Sequence, residues 1–318
     1  MKLRTKGFVI LLSSLALVLA FAAAQFQKSV RTVASAGSIK GLPDVAYDAQ
    51  AERYLVVWQE RSGSGEDRDI RARVLDLQGN PVSGILALAS SGRDERYPGA
   101  AASGSSSWTV VWTTSTAVEA CTVDATGQAG GVRTLTGRSV RPVDRPDIGA
   151  SVRDGGFIVV WEELDTTGLS AIKGLRLGPS ADSAVGEAFT VARSSDHDLR
   201  DPSVSQSGDG LFVAWEKPVE AGRSDIEGRL VPAGARSEAE LGDILSLAAD
   251  GARNTLPSVA RFPETDAFAV VWQRTDGLRD SGIAFANVSG QGLLGTGLLA
   301  DSETLLESRP SASGAGAA

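Results

Sequence analysis

Five tryptophans at nearly even intervals constrain this chain more than any other feature of it. They close five short apolar runs: Tyr54-Leu55-Val56-Val57-Trp58, Trp108-Thr109-Val110-Val111-Trp112, Phe157-Ile158-Val159-Val160-Trp161, Leu211-Phe212-Val213-Ala214-Trp215 and Phe268-Ala269-Val270-Val271-Trp272. The closing tryptophans are 54, 49, 54 and 57 positions apart and account for five of the six in the chain. Self-similarity at such a period marks a repeat architecture, in which each unit buries its apolar faces against its neighbours.

A segment opened by proline precedes each run: Pro43-Asp44-Val45-Ala46, Pro98-Gly99-Ala100-Ala101, Pro146-Asp147-Ile148-Gly149, Pro202-Ser203-Val204-Ser205 and Pro257-Ser258-Val259-Ala260. Proline has no N–H to give to a ladder and suits the first residue of a strand. Asp154-Gly155-Gly156 and Gly208-Asp209-Gly210 read as hairpin turns between the two strands. A third strand follows each tryptophan, clearest at Asp69 to Leu75 and Asp225 to Val231, less so at Ala171 to Leu177 and Gly282 to Val288, weakest at Val118 to Val123. A short fourth strand reads Ile85 to Ala89, Phe189 to Ala192 and Ile244 to Ala248. Four strands in about 50 residues is the size of a propeller blade.

Successive strand residues point to opposite faces. Phe157, Val159 and Trp161 therefore share one face and Ile158 and Val160 the other, so both need cover. Blades packed face to face around an axis supply it, and the tryptophans are expected in the core between blades rather than as sugar-stacking surfaces. The predicted fold is all-β, a β-propeller of about five four-stranded blades, with six as the alternative.

The succession Pro-x-Val-Ala, Val-Val-Trp-Gln, Asp-Ile-x-x-Arg-Val, Gly, Leu-Ala resembles the repeats of secreted bacterial proteins with tandem "VVW…DI" propeller units. Its strand order is similar to that of TolB-like propeller repeats. The resemblance runs from about Val30 to Pro310 and implies an architecture; such repeats serve many functions, so it implies no activity. The blade units fall at 42–89, 97–135, 145–192, 201–248 and 256–300. Ser29 to Ala34 looks like a detached fourth strand and is expected to complete the last blade and close the ring. A sixth copy starts at Arg309-Pro310-Ser311-Ala312 and dissolves into Gly and Ala, so 309–318 is expected to be a disordered tail.

At the N-terminus, Lys2, Arg4 and Lys6 precede an apolar run from Phe8 to Ala20, and Ala22-Ala23-Ala24 supplies a cleavage site before Gln25. This pattern predicts a signal peptide over 1–24, a secreted or periplasmic protein and no membrane insertion after cleavage. Losing those three cations takes the formal charge from −8 to −11, which disfavours nucleic acid and anionic lipid surfaces. Cys121 is the only cysteine, so no intrachain disulfide forms and stability rests on the packed core.

The chemistry-bearing residues are sparse. His197 is the only histidine and no G-x-S-x-G elbow occurs, so no Ser-His-Asp arrangement is legible. Cys121 falls on a predicted strand and reads as a core residue; zinc would need several His or Cys ligands, and no P-loop or dinucleotide fingerprint is present. Asp44 and Asp147 follow the opening prolines and can face a central channel, where paired acids cleave glycosidic bonds. Gly99, Ser203 and Ser258 hold the same slot elsewhere, so the plainer reading is that these aspartates bond backbone N–H groups at the strand entrance. The loops before the prolines carry Asp94, Glu95, Arg96, Asp144, Arg145, Asp196, His197, Asp198, Arg200 and Asp201. Repeat symmetry puts them on one face, where loops build binding surfaces for a protein, a glycan or a cation such as calcium; otherwise they form a solvated rim.

The leading expectation is a non-catalytic exported recognition or scaffold protein without a cofactor, binding at that loop face. A secreted glycan-active hydrolase using Asp44 and Asp147 is the alternative, and a structural surface protein with no ligand is the third.

Overall fold

The computed structural model describes residues 32–302, apart from 35–36, 62–66, 103, 115, 137–142, 152–154, 182–183, 206–209, 221, 263–264 and 278–279. The expected signal peptide at 1–24 and tail at 309–318 lie outside the described residues.

Strands Ile39–Asp48, Arg53–Arg61, Arg68–Asp76 and Leu86–Ala89 form the first blade, each paired with the next in sequence. The second comprises Arg96–Ala102, Ser107–Thr113, Val118–Asp124 and Arg133–Thr134, and the third Val143–Ala150, Phe157–Leu164, Ser170–Leu177 and Phe189–Ala192. The fourth comprises Arg200–Val204, Gly210–Glu220, Arg223–Pro232 and Ile244–Ala248. Arg253–Arg261, Ala267–Asp276, Asp280–Ser289 and Gly292–Ser302 make the fifth. Every ladder within a blade is antiparallel, as hairpin-linked strands require. The fold is an all-β propeller, and the five Trp-bearing runs are the second strand of each blade.

The fifth blade takes its fourth strand from Gly292–Ser302, directly after its third. The expected closing strand at 29–34 lies outside the described residues as far as Arg31, and Thr32 to Ala34 belong to no strand.

Four hydrophobic clusters hold the blades together. Trp112, Trp108 and Val110 of blade two pack on Leu55, Val57, Ile70 and Val74 of blade one. Trp161, Phe157 and Val159 pack on Val111, Val118 and Ala120 of blade two. Trp215 meets Ile158 and Val160 of blade three, and Trp272 meets Phe212, Ala214 and Ile226 of blade four. Each of these four tryptophans thus faces the preceding blade. Burying both faces of a strand explains the unbroken apolar runs. Glycine lets the blades approach: a Cβ on Gly149 would stand 2.3 Å from the Ser205 carbonyl oxygen of blade four.

The inner strands share one irregularity. The residue before each opening proline has positive φ: Leu42 (47°), Tyr97 (53°), Arg145 (47°), Asp201 (48°) and Leu256 (56°). Non-glycine residues rarely adopt this conformation, and here it coincides with a bulge in every inner ladder. Bulges re-aim side chains, and these five turn the pre-proline side chains out of their blades' regular alternation.

Candidate functional site

The slot after the proline makes lateral contacts between neighbouring blades. The backbone N–H of Ala100 in blade two donates to Asp44 Oδ2 at 2.8 Å. Val204 N–H of blade four donates to Asp147 Oδ2 at 2.8 Å, and Ile148 N–H to Asp147 Oδ1 at 2.8 Å. Val259 N–H of blade five donates to Ser203 Oγ at 3.3 Å. The slot residue therefore clamps the next blade, and both aspartates do bond backbone amides.

Two of these clamps are also neighbours. Asp44 reaches the amide of Ala100, while Asp147 Oδ1 lies 3.5 Å from where a Cβ on Gly99 would be. Both carboxylates thus lie against the Gly99–Ala100 peptide. Burial and then the Asp44 charge push the Asp147 carboxyl up to about 7. Asp44 is itself raised by burial, against hydrogen bonds from Ala100 and Val45.

Beside this pair lies a second cluster built by the bulges. Arg145 pairs with Asp201 and with Glu162, whose Oε1 is 3.7 Å from Arg145 Nε. Its guanidinium stands 5.1 Å from the centroid of the Tyr97 ring, and that of Arg96 5.5 Å from it. Burial works against the Arg145 charge, but Asp201, Tyr97 and Glu162 outweigh it and raise its proton affinity. The strained Asp201 amide donates to Glu162 Oε1 at 2.6 Å, as the Tyr97 amide does to Gln59 Oε1 at 3.2 Å. Burial pushes Glu162 up to about 7; Glu216, buried and facing Asp201, also reaches about 7. Asp201 is raised by burial despite Arg145.

Of the loop residues singled out in the sequence, Asp144, Arg145 and Asp201 join this cluster, and Arg96 borders it with Nη2 4.0 Å from Asp144 Oδ1. The others do not form one exposed binding rim. Glu95 is fully buried, accepts the Ser91 amide and hydroxyl, and is raised by burial. Asp94 accepts the Arg68 guanidinium at 2.8 and 2.9 Å and the Arg68 amide at 3.2 Å. Asp198 accepts the Ser170 amide and Arg200 Nη2, both at 2.9 Å. Asp94 and Asp198 thus tie their loops to the third strand of the preceding blade. Asp196 pairs with His197 at 3.5 Å and is held low by the Ser194 hydroxyl.

Glu162 and Glu216 were not singled out in the sequence. Their signal is the slot just after the tryptophan, which reads Gln59, Thr113, Glu162, Glu216 and Gln273. Glu162 there stands beside the next blade's bulge at Asp201, and Glu216 faces Asp201 within its own blade. Cys121 is buried and its thiol is pushed up to about 12, which leaves it unreactive. Among the described residues no group of three or more His, Cys, Asp or Glu is arranged to hold a metal ion. Among them too, no helix is long and apolar enough to cross a membrane.

No protein-family model matches the chain, and no curated protein matches it. Solved structures do share its fold. An α-L-arabinanase of Penicillium chrysogenum, complexed with arabinobiose, is 12% identical with a TM-score of 0.61, over 86% of this chain and 84% of that one. A GH43 β-1,3-galactosidase with galactodeoxynojirimycin is 10% identical with a TM-score of 0.50, over 80% and 92%. A Hadza microbial sialidase is 11% identical with a TM-score of 0.52, over 83% of this chain and 59% of that one. The likeness supports the propeller that the repeats imply; no TolB-like family is matched. The expectation of a non-catalytic recognition or scaffold protein is corrected here: the solved structures that share the fold are an arabinanase, a galactosidase and a sialidase.

Proposed function

We propose that the chain is an exported glycan-active hydrolase whose acid–base pair is Asp147 and Asp44. The observation that carries this reading is the convergence of two carboxylates, from blades one and three, on the Gly99–Ala100 peptide. Glycosidic bonds are cleaved by two carboxyl groups, one giving a proton to the leaving oxygen and one acting as base or nucleophile. Neighbouring acids whose proton affinities are pushed apart take up those roles. Asp147, lifted to about 7 by burial and by Asp44, is suited to deliver the proton. Asp44 is suited to the carboxylate role, its anion steadied by the Ala100 amide. The same amide bonds that clamp the blades fix both groups in place before any substrate arrives.

The second cluster is read as the wall of the substrate site. Arg145, Asp144, Asp201 and Glu216 offer donors and acceptors for hydroxyl groups, and Tyr97 packs against the Arg145 guanidinium. Export is supported by the basic and apolar N-terminal sequence. Arabino-, galacto- and sialyl-oligosaccharides, the sugars of the fold's neighbours, are the first substrates to try. The test is incubation with that panel and chromatographic analysis of the products. Shortened chains that disappear with Asp147→Asn support the reading; an intact panel, or equal turnover by the variant, refutes it.

A further inference from the structure

The fifth blade ends in an outer strand unlike those of the other four. Leu86–Ala89, Arg133–Thr134, Phe189–Ala192 and Ile244–Ala248 are 4, 2, 4 and 5 residues long, whereas Gly292–Ser302 has 11. It pairs with Asp280–Ser289 along one edge, and along the other with no strand among the described residues. The backbone N–H and C=O groups of such an edge are a template for another chain, and proteins guard edges of this length with charge, proline or bulges. From Ser281 to Ala300 the chain has no charged residue and no proline. Bulges at Leu294 and Leu299 remain, and they leave residues 295–298 regular between them. The leucines of this strand are uncovered: Leu293 is 45% exposed, Leu294 63%, Leu298 50% and Leu299 62%. Taking them out of water is the favourable term that a partner on this edge would gain.

We propose that this edge is the interface of a two-fold dimer, in which Gly292–Ser302 pairs antiparallel with the same strand of a second copy. The sequence specifies that occupant. Leu293-Leu294-Gly295-Thr296-Gly297-Leu298-Leu299 reads the same in both directions. Antiparallel pairing about Thr296 therefore sets Leu293 opposite Leu299, Leu294 opposite Leu298, Gly295 opposite Gly297 and Thr296 opposite its own copy. A two-fold interface must be complementary to itself, and a palindromic strand meets that condition at every position. Apolar pairs and Thr–Thr pairs are among the favourable cross-strand contacts. Charge points the same way. The chain carries a formal charge of −8, so two copies repel, but along 281–300 they bring no charges together. The pairing also closes, since each edge covers the other and the two blades merge into one antiparallel sheet. The inner strand of this blade, Arg253–Arg261, lies three strands away from the join. Pairing at the outer edge therefore leaves the inner strands that carry Asp44 and Asp147 uncovered.

Sedimentation of the whole chain over a concentration series tests this. The expected species are monomer and dimer, with nothing larger. Thr296→Lys and Thr296→Glu each set like charges face to face at the two-fold centre, and each is expected to raise the dissociation constant at least about tenfold. Thr296 is exposed, so both variants are expected to keep the thermal melt of the folded chain, which checks that the fold is intact. An equimolar mixture of the two is expected to dimerise again, because Lys then opposes Glu. Leu77→Lys, which charges an exposed leucine of the first blade, is expected to leave the dimer unchanged. A chain that stays monomeric at every concentration overturns the proposal. So does a dimer indifferent to Thr296→Lys, or two folded variants that fail to associate on mixing. Assembly that grows past the dimer also overturns it, since two-fold pairing of these edges ends at two.

Discussion

Asp44 raises the proton affinity of Asp147, although one stands in the first blade and the other in the third. Asp44 holds the Ala100 amide, and Asp147 Oδ1 stands 3.5 Å from where a Cβ on the neighbouring Gly99 would be. Each is also tied to the blade after its own, so the bonds that assemble the propeller hold its acids.

The clamp and the chemistry are separable by substitution. Asn at 147 keeps an oxygen for the Val204 amide; Ala leaves that buried amide without its acceptor. Asp147→Ala is expected to lose about 1–3 kcal/mol in urea unfolding, and Asp147→Asn much less. Both are expected to lower glycan hydrolysis by on the order of a hundredfold or more.

Stability should fall as pH rises through the weakly acidic range. Asp147, Glu162 and Glu216 each hold a proton to about 7, far above carboxyls in the unfolded chain, so the folded state binds more protons between about pH 4 and 7. That contribution is whole below the unfolded value and is gone above the folded one. Thermal melts are expected to show Tm decreasing from pH 5 to pH 8, with a shallower slope in the Asp147→Asn, Glu162→Gln double variant. A Tm that rises over this interval contradicts the burial of these groups.

Gly149 is where blades three and four come closest. A methyl there would stand 2.3 Å from the Ser205 carbonyl, a backbone atom that has no rotamer to yield. Gly149→Ala is expected to destabilise by about 1–3 kcal/mol, measured by urea unfolding, while Gly131→Ala, with open space around it, changes little.

Cys121 should be silent until the chain unfolds. Its thiol is buried and lifted to about 12. A thiol reagent at pH 8 is expected to find no reactive group in the native protein and one per chain in guanidinium.

Much of the fold was legible because a propeller writes its period into the chain. Trp58 to Trp272 and Pro43 to Pro257 mark the second and first strands, and apolar residues on both strand faces demanded blades on either side. Periodicity treats every unit alike, so it could not show that Val45 lacks the cover its counterparts have. The site was half legible. Asp44 and Asp147 stood out by their slot, and Arg145 and Asp201 by their loops. Glu162 and Glu216 were hidden inside their strands, just past the apolar run, where polar residues are ordinary. What gives them meaning is the bulge at Asp201, a positive φ that a residue preceding proline does not announce.

The most direct measurement is the pH dependence of kcat/KM on a glycan that the protein cleaves. With Asp147 as proton donor, kcat/KM declines as pH rises through about 7, and that decline disappears from the residual activity of Asp147→Asn. An alkaline limb unchanged in the variant, or no glycan cleaved at any pH, contradicts the assignment.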